Sequence, residues 1–236
     1  MKLPNKSLVF LLILFIACTN QNDQTEAIQN RYVEGQNLVS KSLPKTTIKI
    51  ASEFDFVGKF DFVIKAMSEE YEASLRGKPI ADGERFVFAK LDSLNPKLVE
   101  KLFIVQFEGF YENLDLTYNY DLSSGTQMGD FKYRNNTWFY NNKENIDRNP
   151  EGEAAKTQKL LAEKGLKTKD EVLMSRFVTV VDENRKYEMI IYYLEFAENH
   201  DFSLADFEAG NYDESLVENL EMNLIERSLD SFQILN

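Results

Sequence analysis

An α+β domain built around an antiparallel sheet is what this sequence predicts, on three observations. Apolar and polar residues alternate over long stretches, the signature of strands with one buried face. Short polar turns separate most of these stretches, so the strands are joined largely as hairpins. Two segments, near 150–165 and 213–232, carry helix caps instead. The 236 residues, 43% hydrophobic and 28% charged, suit one globular domain with a sizeable core.

From Ile48 the even positions read Ile48, Ile50, Ser52, Phe54, Phe56, Gly58, Phe60, Phe62, Ile64 and Ala66, and the odd ones include Lys49, Glu53, Asp55, Lys59, Asp61 and Lys65. This predicts strand, with Gly58 either bending one long strand or sitting in a turn that sets Phe56 opposite Phe60. Asp82-Gly83 predicts a turn before a strand over 85–91, and Asn95-Pro96 punctuates the next connection. Leu102 to Phe107 is apolar on both faces except at Gln106, as in a central strand. Leu114, Leu116, Tyr118 and Tyr120 alternate with polar residues, which predicts a half-exposed strand. Asn135-Asn136 predicts a two-residue hairpin that puts Tyr133 opposite Trp138 and Phe131 opposite Tyr140.

Asn149 and Pro150 predict a helix start and Lys164-Gly165 its end. Thr168 and Glu171 have the spacing of a capping box for a short second helix. Residues 176–181 and 187–196 predict two strands around the polar turn 182–186, the second apolar on both faces. Asp213 caps a last helix with a stripe of Leu216, Val217, Leu220 and Leu224, while Ile225, Leu229 and Phe232 lie off it. About eight strands with helices against one face is the expected total.

The first segment bears on compartment. Lys2 and Lys6 precede an uninterrupted apolar run, Leu8 to Ala17, and Cys18 follows directly. That is the outline of a signal peptide, since ten apolar residues are too few to cross a bilayer core that needs about 20. Phe15-Ile16-Ala17-Cys18 resembles the lipobox of bacterial lipoproteins, with Phe15 where that family usually has leucine. The resemblance covers the first 18 residues and implies an acylated Cys18 as the first residue of the mature chain, anchored in the membrane by its acyl chains. Thr19 in place of aspartate implies the outer membrane under the enteric sorting rule. Residues 1–17 are thus expected to be removed, 18–43 to be a lipidated, Asn/Gln-rich tether, and 44–236 to be the domain. The Asn/Lys/Glu/Phe-rich style of the rest is similar to uncharacterised lipoproteins from Bacteroidota.

Composition excludes several chemistries. Loss of the leader with Lys2 and Lys6 takes the formal charge from −12 to −14, and no basic cluster remains, which argues against nucleic acid as a partner. Cys18 is the only cysteine and His200 the only histidine, so disulfides, a thiol nucleophile once Cys18 is acylated, and the usual zinc sets are not expected. Residues 147–153 echo the start of a calcium loop, but Gln158 stands where a bidentate glutamate belongs and Pro150 interrupts it. No glycine-rich phosphate loop and no Gly-x-Ser-x-Gly elbow occur. No cofactor is therefore expected.

The excess lies in aromatics, 13% of the chain. Aromatics in a sheet build cores, and they also line pockets for hydrophobic ligands. Tyr118, Tyr120, Tyr133, Trp138 and Tyr140, which combine an apolar ring with a polar tip, are the candidate ligand-binding residues, with Tyr192 and Tyr193 of the same kind. The expected function is a non-enzymatic, membrane-anchored binding or interaction domain of the cell envelope, its partner an envelope protein or a hydrophobic small molecule. One alternative is a hydrolase using carboxylates or an Asp/His pair among Asp182, Glu195, His200 and Asp201. Another is an acidic inhibitor or immunity-type protein.

Overall fold

A computed structural model of the protein describes residues 31–196 and 203–235. The lipobox with Cys18, the first part of the tether, His200 and Asp201 lie outside the described residues. In chain order the elements are β1 (Arg31–Glu34), β2 (Asn37–Ser40), β3 (Thr46–Ile50), β4 (Asp55–Lys65), β5 (Pro79–Leu91), β6 (Val99–Phe110), β7 (Thr126–Met128) and β8 (Phe131–Asn141). There follow α1 (Asn142–Arg148), α2 (Glu153–Glu163), β9 (Glu171–Val180), β10 (Tyr187–Phe196), α3 (Leu204–Glu208), α4 (Glu214–Asp230) and β11 (Phe232–Leu235). Among the described residues no helix is long and apolar enough to cross a membrane.

The fold is a single α+β domain of antiparallel strands in two sheets. The main sheet runs β4-β5-β6-β10-β9-β8-β7, and a smaller one runs β1-β2-β3-β11. The central strands are apolar on both sides, so both faces of the main sheet must be covered. One face, called the sandwich face here, packs Phe86, Phe103, Val105, Phe177 and Ile191 against Leu38, Ile48 and Ile50 of the small sheet and Leu224 of α4. The other, the helix face, packs Val87, Ile104 and Leu194 against Leu160 and Leu161 of α2. Helices therefore lie on both faces, not on one as expected.

Several local expectations give way, each for an identifiable reason. Residues 31–40, assigned to the tether, form a hairpin whose Leu38 is fully buried, with Gly35 at positive φ in its turn. Of the two readings of Gly58, the single bent strand holds and the turn does not: β4 carries a bulge where Phe56 pairs with Phe88 but Gly58 with Val87. The extra residue, Val57, switches faces, so Phe56 lies over Phe86 and Phe88 while Phe60 belongs to the helix face. The residues 114–121 form no strand. Asn135-Asn136 is no turn either, since a two-residue hairpin needs positive φ at both central residues and Arg185 is the one non-glycine with positive φ among the described residues. Instead β8 runs straight through against β9, and the Asn135 amide donates to Ser175 Oγ at 2.9 Å. The hairpin falls six residues earlier, where Gly129-Asp130 links Met128 to Phe131. Tyr133 and Trp138 thus face opposite sides of the sheet.

Pro150 sits between two helices. Asn141 caps α1 through a 3.1 Å bond from Glu144 N, a signal overlooked in the sequence, and Gly152, not Asn149, is the N-cap of α2. The capping-box pattern at Thr168 and Glu171 leads into β9 instead of a helix. Asp213 caps α4 as expected, accepting from Leu216 N at 2.8 Å, but Leu216 itself is exposed and the buried stripe ends on Leu224 and Ser228.

Gly83, expected in a turn, lies in mid-strand directly opposite Phe62, whose ring covers it. A Cβ there would stand 2.1 Å from Phe62 Cζ. Gly83→Ala is therefore expected to lower stability by about 1–3 kcal/mol through overpacking, measurable by urea denaturation. An unchanged midpoint would mean that Phe62 has a free alternative position.

Candidate ligand-binding site

The helix face of the main sheet is not uniformly apolar. Arg85 on β5, Gln106 and Glu108 on β6, Glu188 and Tyr192 on β10, and Arg176 on β9 all point to it. The register puts Arg85 opposite Gln106 and Tyr192 opposite Arg176. Over this surface α1 and α2 close a cavity of about 370 Å³. Its apolar wall is Leu102, Ile104, Leu161, Met174, Leu194 and Phe196, and its aromatic wall is Trp138, Tyr140 and Tyr192. Its polar lining includes Arg85 of β5, Asn142, Asn145 and Arg148 of α1, and Glu153, Thr157 and Gln158 of α2. A mostly apolar concavity of this size with a few converging polar groups has the character of a small-molecule site.

Arg85 is the central polar group. It is only 7% exposed. Its Nε donates to Gln106 Oε1 at 2.6 Å and its Nη1 to Thr157 Oγ1 at 3.2 Å. Gln106 in turn donates from Nε2 to Glu108, and Tyr118 OH donates to Glu108 Oε1 at 3.2 Å. This chain fixes the guanidinium plane and leaves it 5.2 Å from the centre of the Tyr192 ring. Burial pushes the hydroxyls of Tyr140 and Tyr192 up to about 12, with the Arg85 charge acting in the opposite direction, so both remain neutral donors at neutral pH.

The five aromatic candidates divide three ways. Trp138 and Tyr140 line the cavity; Trp138 is 38% exposed, with the Arg176 guanidinium 4.8 Å from its ring centre. Tyr133 lies on the sandwich face, fully buried in the core, its phenol pushed up by desolvation. Tyr118 and Tyr120 come from the 111–125 loop, which Arg185 ties down by donating to Tyr118 O at 2.7 Å and Tyr120 O at 3.0 Å. They cover the Glu108–Glu188 pair, not the cavity. Tyr193, on the sandwich face, donates to Glu195. Arg85 was missed in the sequence, although it is the one charge in an otherwise apolar run, Arg85 to Ala89, and Gln106, its partner, is the one polar residue in Leu102 to Phe107.

No family model, curated protein or solved structure matches this chain.

Of the residues named for hydrolysis, the two described ones, Asp182 and Glu195, do not meet. Asp182 accepts from Lys186 N and Tyr187 N at one end of β10, and Glu195 stands at the other end, roughly 26 Å away at strand spacing. Glu195 is 1% exposed and held by both Nε and Nη2 of Arg227, at 2.8 and 2.7 Å. Among the described residues no three His, Cys, Asp or Glu side chains group so as to hold a metal ion. A second groove, of about 630 Å³, is larger but acidic, with Asp82, Glu84, Glu108, Glu112 and Glu188 along it. Most of these carboxylates are engaged internally, Glu84 by Lys59 and Arg31, and Glu112 by Tyr187. The smaller cavity is the better candidate.

Proposed function

We propose that the protein is a non-enzymatic, lipid-anchored binding domain of the cell envelope, held at the outer membrane through Cys18, which carries a small hydrophobic molecule between its main sheet and α1–α2. The lining of that cavity carries the reading: aromatic and aliphatic walls for an apolar body, and polar groups placed at a few points to orient it. The anchor reading rests on the lipobox resemblance.

Native mass spectrometry of the chain from residue 19 onward, exported to a bacterial periplasm behind a cleavable secretory signal, tests it. The expected result is a stoichiometric adduct of small-molecule mass that is extractable into organic solvent and lost or strongly reduced in Trp138→Ala. A clean unliganded mass in both proteins would count against a tightly held ligand.

A further inference from the structure

We infer that the cavity takes a monoanionic amphiphile, a carboxylic acid with an apolar tail, whose carboxylate is seated on Arg85. This deepens the binding-domain reading and rests on it. The argument begins with what Arg85 lacks. A guanidinium carries five N–H donors. Two groups, Gln106 Oε1 and Thr157 Oγ1, accept from Nε and Nη1, and both are neutral. Nη2 has no hydrogen-bond acceptor among the described residues, and no carboxylate there stands within ion-pair distance of the guanidinium. A buried cation without a directly paired anion is costly, and the Glu108 carboxylate reaches it only through Gln106. In a chain of formal charge −12, with acids abundant on every side, that omission marks a place for an anion supplied from outside.

The surroundings select the kind of anion. The planar fork of arginine matches a carboxylate, with the Tyr192 ring 5.2 Å from the guanidinium and Tyr140 in the same lining, its hydroxyl donating to Met174 Sδ at 3.9 Å. A phosphate dianion fits less well, because a second buried cation is missing from the lining and Glu153 adds a negative charge to it. Beyond the polar end, Leu102, Ile104, Met174 and Leu194 offer only apolar surface, which suits an alkyl or aryl tail. Arg148, on α1, is an exposed member of the lining; its Nε donates to Glu144 O at 3.4 Å, and it does not share the buried position of Arg85.

The test uses octanoate and 1-octanol, which have the same tail and differ in the charge of the head. Trp138, the only tryptophan and part of the lining, reports occupancy by its fluorescence. With the delipidated chain from residue 19 onward at neutral pH, octanoate is expected to bind about tenfold or more tightly than 1-octanol, the scale of a hydrogen bond to a charged group. Arg85→Gln is expected to abolish that preference by weakening octanoate and sparing 1-octanol, while Arg148→Gln keeps it. Equal binding of the two probes by the unmodified protein, or tighter binding of the alcohol, would overturn the carboxylate assignment while leaving a hydrophobic carrier standing. So would loss of the preference in Arg148→Gln alone. Binding of neither probe would overturn the carrier reading along with it. The comparison of the two probes on the unmodified protein decides the matter even if Arg85→Gln fails to fold.

Discussion

Arg227→Ala is expected to lower the unfolding free energy by about 2 kcal/mol at neutral pH, below the scale for a fully buried ion pair because Arg227 is 35% exposed and Glu195 keeps the Tyr193 hydroxyl. Arg227 extends from α4 and grips both oxygens of Glu195 at the end of β10. Lys101, 3.6 Å from Glu195 and on the neighbouring strand, is too far to replace a two-pronged hydrogen-bonded partner. The substitution therefore leaves a carboxylate that is 1% exposed with much of its compensation removed. Arg227→Met combined with Glu195→Leu is expected to recover most of the loss, because the pair is replaced by apolar volume instead of being broken. Guanidinium denaturation of the three proteins checks both statements. A single mutant within 1 kcal/mol of the parent would mean that water reaches Glu195 readily and that the pair does not tie α4 to the sheet.

The second large effect concerns pH. Glu108 and Glu188 stand directly opposite each other on β6 and β10, both on the helix face. Burial, then hydrogen bonding with and the charge of Glu108, pushes Glu188 up to about 9, while Tyr120 and Arg176 pull it in the opposite direction. Tyr118, which bonds Glu108, closes the site from the loop. The folded protein thus keeps a proton on this pair that the unfolded chain releases in the ordinary carboxylate range near 4.3. The folded state binds more protons between these two values, so stability is greatest at the acid end of that window and falls as pH rises toward about 9. The expected result is a melting temperature that declines steadily between pH 5 and 9. Glu188→Gln, a neutral isostere able to donate to Glu108, should flatten this decline and raise the melting temperature most at the alkaline end. Parallel curves for the two proteins would show that Glu188 is already ionised when folded.

The parts of the fold that were legible in the sequence are those in which local chemistry and tertiary packing agree. β10 shows because Met189 to Leu194 is apolar on both of its covered faces, and the N-cap of α4 shows because Asp213 needs only the amide of Leu216 to serve. The misreadings share a cause. Asp82-Gly83 and Asn135-Asn136 have the composition of turns, yet each found a stronger partner across the sheet: Phe62 over Gly83, and Ser175 for the Asn135 amide. Turn propensity is a preference of an isolated segment, and a long-range ladder of hydrogen bonds outweighs it. Gly58 marked the break in β4, but its effect on facing was not legible, because one extra residue leaves the period-two pattern looking intact on either side while reversing which face it addresses.

The candidate site was legible only in fragments. Trp138 and Tyr140 stood out as amphipathic aromatics, but nothing in their spacing separated them from Tyr133, which differs by facing the core instead of the cavity. Strand parity distinguishes them once the register is known, and the register depends on a partner strand some 40 residues away.

By itself, the sequence determined the class of the domain, its antiparallel and largely hairpin-linked sheet, its acidic charge, its single cysteine and single histidine, and the lipobox resemblance that directs the proposal to the envelope. These follow from composition and short-range periodicity, which act through each residue's own side chain and its near neighbours. Only the tertiary structure decided that residues 31–40 join the fold, which aromatics are core and which line a cavity, and that Arg85 lies buried beside Gln106 and Thr157 with no carboxylate of the described residues on it. Those facts depend on which strands become neighbours, and side chains from β5, β6, β10 and α2 meet at one point only when chain segments more than 70 residues apart are brought together by burial of the apolar surface between them.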